Sequence, residues 1–322
     1  MIRTPSGVLV RALSALALAA SISACSGPTP EGAEEQAVGA EEPAAGNFRE
    51  RIYERNFVFT TLAGDTAFMV PWLTSARVIP GGVDRAARGW LARGESWEGF
   101  LDARWETPPT RVPGRLLPHG SFRVLVGEGN AILSLLYEEG ARELELTLDS
   151  PLMEWVDQRG HTFRLLEGSV YLADRQVAGM ALDMTRVRDS DQPDPGDWAF
   201  LVSGDSLQVV LESPASDEPG APGAYRGWAR LDFRDVPFDA LTVEWGEVRA
   251  FQPARQDVPV AWTVTSASGD LEGVLEVRTA QIQAGEGDGP VLPVDALFEV
   301  SGTMSIEGSA YPVRGLFRHV RN

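Results

Sequence analysis

Phe298-Glu299-Val300-Ser301-Gly302-Thr303-Met304-Ser305-Ile306-Glu307 alternates apolar or small residues with polar ones at period two. Successive side chains of an extended chain point to opposite faces, so this pattern predicts a strand with one face buried. Leu144, Leu146 and Leu148 repeat it between Glu143, Glu145 and Thr147. So do Val258, Val260, Trp262 and Val264, and likewise Leu241, Val243 and Trp245. Turn-forming runs separate these stretches, among them Glu128-Gly129-Asn130, Asp157-Gln158-Arg159-Gly160 and Ser268-Gly269-Asp270. Short strands at such spacing predict an all-β sandwich or barrel rather than βαβ units. Helix signals are few: 47–55 reads as one short helix, and 85–91 fits either state.

A duplication organises the strands. Arg88-Gly89-Trp90 recurs as Arg226-Gly227-Trp228. Downstream, Gly168 leads to a return through Val177-Ala178-Gly179-Met180, and Gly302 to one through Val313-Arg314-Gly315-Leu316. The spacing from tripeptide glycine to return glycine agrees within two residues between the halves, which supports a repeat. The units then run over 48–195 and 196–322, with 57–77 as one or two strands outside the repeat.

These two tripeptides, with the closing Tyr311-Pro312-Val313-Arg314-Gly315-Leu316-Phe317-Arg318-His319, resemble the double lipocalin-like superfamily that includes AttH and the carotenoid 1,2-hydratases. The resemblance covers roughly 57–322. It implies two consecutive β-barrels or half-barrels with an apolar cavity for greasy molecules. No catalytic signature of the hydratases is present, and none of their active residues is carried over.

The segment ahead of the strands reads differently. Arg3 and Arg11 precede an apolar stretch over 12–20, and small residues lead to Cys25, the one cysteine. This is the layout of a secretion signal over 1–24. Ile22-Ser23-Ala24-Cys25 looks like the lipobox of bacterial lipoproteins, which implies cleavage before Cys25, a lipid thioether on its sulfur and an acylated (palmitate-type) amino terminus. Residues 25–47 follow as an acidic, proline- and glycine-containing tether without aromatics, too polar to offset its ordering entropy. Serine after the cysteine, in place of aspartate, implies by the same resemblance an outer-membrane anchor facing the periplasm. The expected partners are the membrane, through Cys25, and a hydrophobic small molecule or lipid.

Of the 322 residues 43% are apolar and 23% charged, average for a globular chain. The net charge of −18 repels phosphates and argues against nucleic acid. Every basic residue is arginine or histidine, so lysine Schiff-base chemistry and a P-loop lysine are excluded. Nucleophile-elbow, His-Glu-x-x-His and dinucleotide motifs are absent. His119, His161 and His319 lie far apart and read as surface or strand-end residues, so no metal and no cofactor is expected. Gly285-Glu286-Gly287-Asp288-Gly289-Pro290 lacks the acidic spacing of a calcium loop and reads as a turn.

The region from Glu244 to Trp262 attracts a site reading. Strict alternation puts Trp245, Glu247 and Arg249 on one face. An inward Glu247–Arg249 pair beside tryptophan would be either a general acid or a structural salt bridge. Trp90, Trp228, Trp245, Trp262 and His319 are the candidate ligand contacts, and Trp97 and Trp105 a minor carbohydrate platform. Three functions fit: a carrier of an apolar molecule in a barrel cavity, an AttH-like hydratase or isomerase of a polyene or fatty chain, and a ligand-free envelope scaffold. Cavity volume separates the third from the others.

Overall fold

The computed structural model describes residues 50–61, 68–172, 175–192, 196–213 and 224–321. The signal, Cys25 and the tether lie outside the described residues, as does most of the interruption at 213–223.

Two antiparallel sheets account for the described chain. The first has nine strands in the order β4 (Ser96–Thr107), β3 (Gly82–Arg93), β2 (Phe68–Ile79), β1 (Arg51–Thr61), β9 (Arg175–Asp189), β8 (Thr162–Leu172), β7 (Arg142–Val156), β6 (Ile132–Glu139) and β5 (Phe122–Val126). It curls until ring faces meet across its open seam. Phe100 of β4 lies 5.2 Å from Tyr137 of β6, and Trp72 bridges Phe100 and Phe122 at 4.8 and 5.8 Å. The second sheet is a closed barrel: β10 (Trp198–Ser203), β11 (Leu207–Glu212), β12 (Ala224–Leu231), β13 (Arg234–Phe251), β14 (Gln256–Ser266), β15 (Leu271–Ala284), β16 (Val294–Ile306) and β17 (Ser309–Arg321). The architecture is all-β, with two lipocalin-like units.

Alternation holds where the sequence is regular. Leu144, Leu146 and Leu148 are buried in the first core; Phe298, Val300, Met304 and Ile306 are buried in the second. Among the described residues there is no α-helix: residues 51–55, expected to be helical, open β1, which is paired on both sides. The described part of 57–77 forms strands as expected, but not outside the repeat: 57–61 belong to β1 and 68–77 to β2, which hold the places that β10 and β11 hold in the barrel.

The repeated motifs do the same work in each unit. A β-bulge sits at Gly89/Trp90 against β4, and another at Tyr225/Gly227 against β13. At Gly179 a methyl group would collide with the Thr60 carbonyl oxygen, and at Gly315 with that of Phe200. Only glycine lets each closing strand approach the first strand of its unit so closely. The inner landmarks are less equivalent: Gly168 pairs with Gly179, whereas Gly302 pairs with Val313.

A third apolar cluster joins the sheets. Phe57 and Phe59 point into the first core, and Val58 points out. With Met184, Phe163 and Trp90 it packs on Trp198, Phe200, Leu297 and Leu316 from the outer face of the barrel. Trp228 in turn lies 4.9 Å from Phe163 and 6.4 Å from Trp155. Arg88 donates to Gln283 and Asp295 of the barrel, while Arg226 donates to Gln158 of the first unit. The contacts are reciprocal, as across a pseudo-twofold axis.

Candidate functional site

At one edge of this joint the apolar contacts give way to charge. Alternation along β1 places Ile52 and Glu54 on the face of Val58, and along β9 it places Arg186 on the face of Met184. The β7–β8 turn adds Asp157 and His161, and the end of β11 brings Glu212 from the other unit. His161 Nδ1 lies 3.0 Å from Glu212 Oε1 and 3.3 Å from Asp157 Oδ2. Asp157 Oδ1 also accepts from the Arg159 and His161 amides at 2.8 Å, which shapes the turn. All three side chains are buried. With Nδ1 engaged, Nε2 is the ring nitrogen without a protein partner, and His161 lines a cavity of about 660 Å³.

Arg186 lines the same cavity, 2% exposed, and its Nη2 donates to Glu54 Oε2 at 2.9 Å. Its Nε and Nη1 are buried without a partner. Burial would raise the Glu54 carboxyl, but Arg186, Arg318 and Arg188 outweigh it and hold the group below the usual range. Beyond Glu54, Asp295 is gripped by Arg318 through two hydrogen bonds of 2.9 and 3.1 Å and by Arg88 at 3.0 Å. Burial acts to raise Asp295 as well, yet Arg318 and then Arg88 pull it down to about 2.

A second polar cluster closes one end of the barrel interior. His319 Nδ1 meets the Asp197 carboxylate at 2.9 and 3.0 Å, and Tyr225 Oη donates to Asp197 at 3.0 Å. The His319 ring abuts Trp245 edge-on at 5.4 Å, beneath the Arg321 guanidinium. Burial, reinforced by Asp197, raises the Tyr225 hydroxyl well above its ordinary value.

The expected site residues therefore scatter. Glu247 and Arg249 are exposed and form no ion pair with each other, because register shifts at Trp245/Glu247 and Glu247/Val248 break the alternation that would have turned them inward. The premise for an acid there is gone. Trp90 and Trp228 pack in the joint. Trp262 is core, stacked 4.3 Å from Phe317 and edge-on to Phe298. Trp245 adjoins His319 and is also the cross-strand partner of Trp262. Trp97 donates to Thr279 across the joint, and Trp105 stacks on His119 at 4.6 Å, so the pair forms no shared platform. In the barrel, expected to hold the ligand, Trp262 packs on Phe298 and Phe317 within the apolar core. A smaller space of about 230 Å³ opens at the seam of the first unit beside Phe100 and Tyr137.

His161 and His319 are both buried, against the surface reading. Convergence of ligating groups is also found where none was expected: one atom each from Asp157, His161 and Glu212 lies within 4.8 Å of the others, close enough to hold one ion. The Asp157-to-His161 interval was visible in the sequence; Glu212, from the other unit, was not.

Fold and site together define a double lipocalin-like protein with an acid/base-capable cavity in its first unit, where Glu212 of the second unit reaches His161. No protein-family model matches the sequence, and no curated protein matches it. Among solved structures the chain is similar to an AttH-like protein of Nitrosomonas europaea (NE1406), with TM-score 0.57 and 11% identity over 85% of this chain and 94% of that one. It is also similar to kievitone hydratase from Nectria haematococca, with TM-score 0.54 and 12% identity over 84% and 89%. At such identity the likeness is one of fold.

Proposed function

We propose that this protein is a hydratase- or isomerase-type enzyme working by general acid–base catalysis in the first-unit cavity that His161 lines. The observation that carries the reading is His161, held at Nδ1 by Glu212 and Asp157 and lining that cavity. A carboxylate at Nδ1 fixes the tautomer with the proton on Nδ1 and leaves Nε2 as a base. In a hydration, Nε2 takes a proton from water as the oxygen bonds to one carbon of a polarised double bond. The imidazolium then returns a proton to the neighbouring carbon, and one water has been added. Run backwards the same steps expel water; in an isomerisation Nε2 instead takes a proton from the carbon between the carbonyl and the double bond and the imidazolium returns it two carbons further on, which moves the double bond by one place. Asp157 and Glu212 stabilise the transient imidazolium. One structural neighbour is a hydratase, which agrees with this class.

A carrier role in a barrel cavity is the weaker reading, since the space of about 660 Å³ that His161 lines is bordered by none of the barrel's core residues. The substrate proposed is a hydrophobic molecule whose double bond is conjugated to a carbonyl. We propose further that Cys25 carries the lipid anchor and places the site in the periplasm at the outer membrane; the intact mass of the protein recovered from an envelope fraction tests this.

The direct test of the chemistry uses heavy water and a panel of hydrophobic enones and β-hydroxy ketones. Solvent deuterium entering the carbon next to the carbonyl with the wild-type protein, and lost in His161→Gln, is the expected result. Equal exchange by both proteins, or none by either across the panel, removes the assignment.

A further inference from the structure

We propose that the first unit holds a second ligand site at its open seam, and that this site takes a small uncharged aromatic molecule. The site does not rest on the His161 reading, because none of its lining residues borders that cavity.

Comparison of the two units shows how the opening arises. In the barrel one long strand, β13, pairs with β12 along its first part and with β14 along the rest, and so closes the sheet. In the first unit that bridge is split. There β4 pairs with β3, β5 pairs with β6, residues 108–121 run between them, and β4 and β5 are the two free ends of the sheet. Without a ladder across the seam, side chains of the first core come to the surface. Leu91, Phe100 and Leu172 are only half-buried, whereas Ile306, which ends β16 as Leu172 ends β8, is fully buried. With Tyr137 and Leu144 they line the space of about 230 Å³.

The lining fixes the class of occupant. All five of these side chains belong to the first apolar core or pack against it, so an apolar ligand would cover what the missing ladder leaves open. Two of them are aromatic, with ring centroids 5.2 Å apart and planes inclined at 54°, and such a pair offers both edges and faces to a third ring. At about 30 Å³ per water, the space equals roughly eight waters at liquid density, which suits one or two fused rings and falls short of a polyene or a diacyl lipid. The rim argues against an ion. Arg142 of β7 pairs with Glu98 of β4 across the seam, and the one other charged residue of the lining is Glu143. An anion would meet Glu143 with no cation left to pair with, and a cation would shed its water against an apolar floor. The Tyr137 hydroxyl donates to Glu139, which leaves its oxygen able to accept from an N–H or O–H on the bound molecule.

The test is calorimetric titration of the wild-type protein with naphthamide and with naphthoate, which share a ring system and differ in charge. The amide is expected to bind about tenfold tighter or more, since the acid would lose its hydration without gaining a partner. Ala141→Trp, at an exposed turn beside the opening, should cover the mouth and weaken the amide by about tenfold or more, with thermal midpoint and deuterium exchange as in wild type. If that variant does not fold, Glu98→Trp on the opposite rim should weaken the amide in the same way. His161→Gln should leave the amide's affinity unchanged. Binding of neither compound, equal binding of both, binding that survives both tryptophan variants, or binding that His161→Gln abolishes would each overturn the proposal. Naphthamide binding without deuterium exchange on any enone would sink the hydratase reading alone. Exchange without naphthamide binding would sink this one alone.

Discussion

His161 and Glu212 come from different units, yet their side chains meet at 3.0 Å and neither is exposed. The contact links the stability of the joint to the orientation of the imidazole, because the groove that orients the ring exists only when both units are docked.

Glu212→Gln should therefore lower exchange activity more than it lowers stability. The neutral amide can still accept from Nδ1 but no longer stabilises imidazolium, and a loss on the order of 10²-fold is expected from the usual worth of general acid–base assistance. Deuterium exchange measured beside the thermal midpoint checks this; a parallel collapse of both would mark Glu212 as purely structural.

Zinc should inhibit. An ion held by Asp157, His161 and Glu212 would occupy Nδ1 and displace the proton that the base reading requires. Micromolar zinc is expected to raise the thermal midpoint and suppress exchange, and a chelator to reverse both. In His161→Gln the midpoint should stop responding.

Acid should loosen the joint through Asp295. Its carboxyl is held at about 2, below the value it has in an unfolded chain. A depressed carboxyl contributes stability that is complete above about pH 4 and lost as pH falls towards 2. Asp295→Asn should cost about 2 kcal/mol at neutral pH and flatten the acid limb of the stability curve. Urea unfolding at a series of pH values measures both.

Trp262→Ala should cost roughly 3–5 kcal/mol, as a fully buried aromatic does, and leave deuterium exchange unchanged in the protein that remains folded. Glu247→Ala and Arg249→Ala should each fall within about 0.5 kcal/mol of wild type, as exposed substitutions do, with full exchange activity. A loss of exchange in either would return the site to β13.

How far the chain could be read in advance depended on regularity. Leu144, Leu146 and Leu148 announce a strand because nothing interrupts them, and the two Arg-Gly-Trp tripeptides announce two units because each stands at nearly the same distance from its return glycine. Residues 51–55 looked helical because local propensity is a weak guide once neighbouring strands satisfy the backbone. Glu247 and Arg249 failed because a bulge shifts the phase of alternation and leaves no mark that a count of residues detects. The candidate site was harder still. Glu212 looks like any strand-end acid, and Arg186 like any arginine on an acidic chain, until β9, β11 and the β7–β8 turn meet.

The reciprocal packing of Trp90 and Trp228, each on the opposite unit, changes what dilution does to the molecule. Two separate copies joined by such a face would part as concentration fell. Written into one polypeptide, the face sees a fixed effective concentration, of millimolar order for short connections, at any abundance. It also freed the halves from having to match. The corner that Arg226 reaches keeps His161 beside a cavity, and the corner that Arg88 reaches keeps Asp295 in a clamp of arginines. A true twofold dimer would have had to make both corners alike.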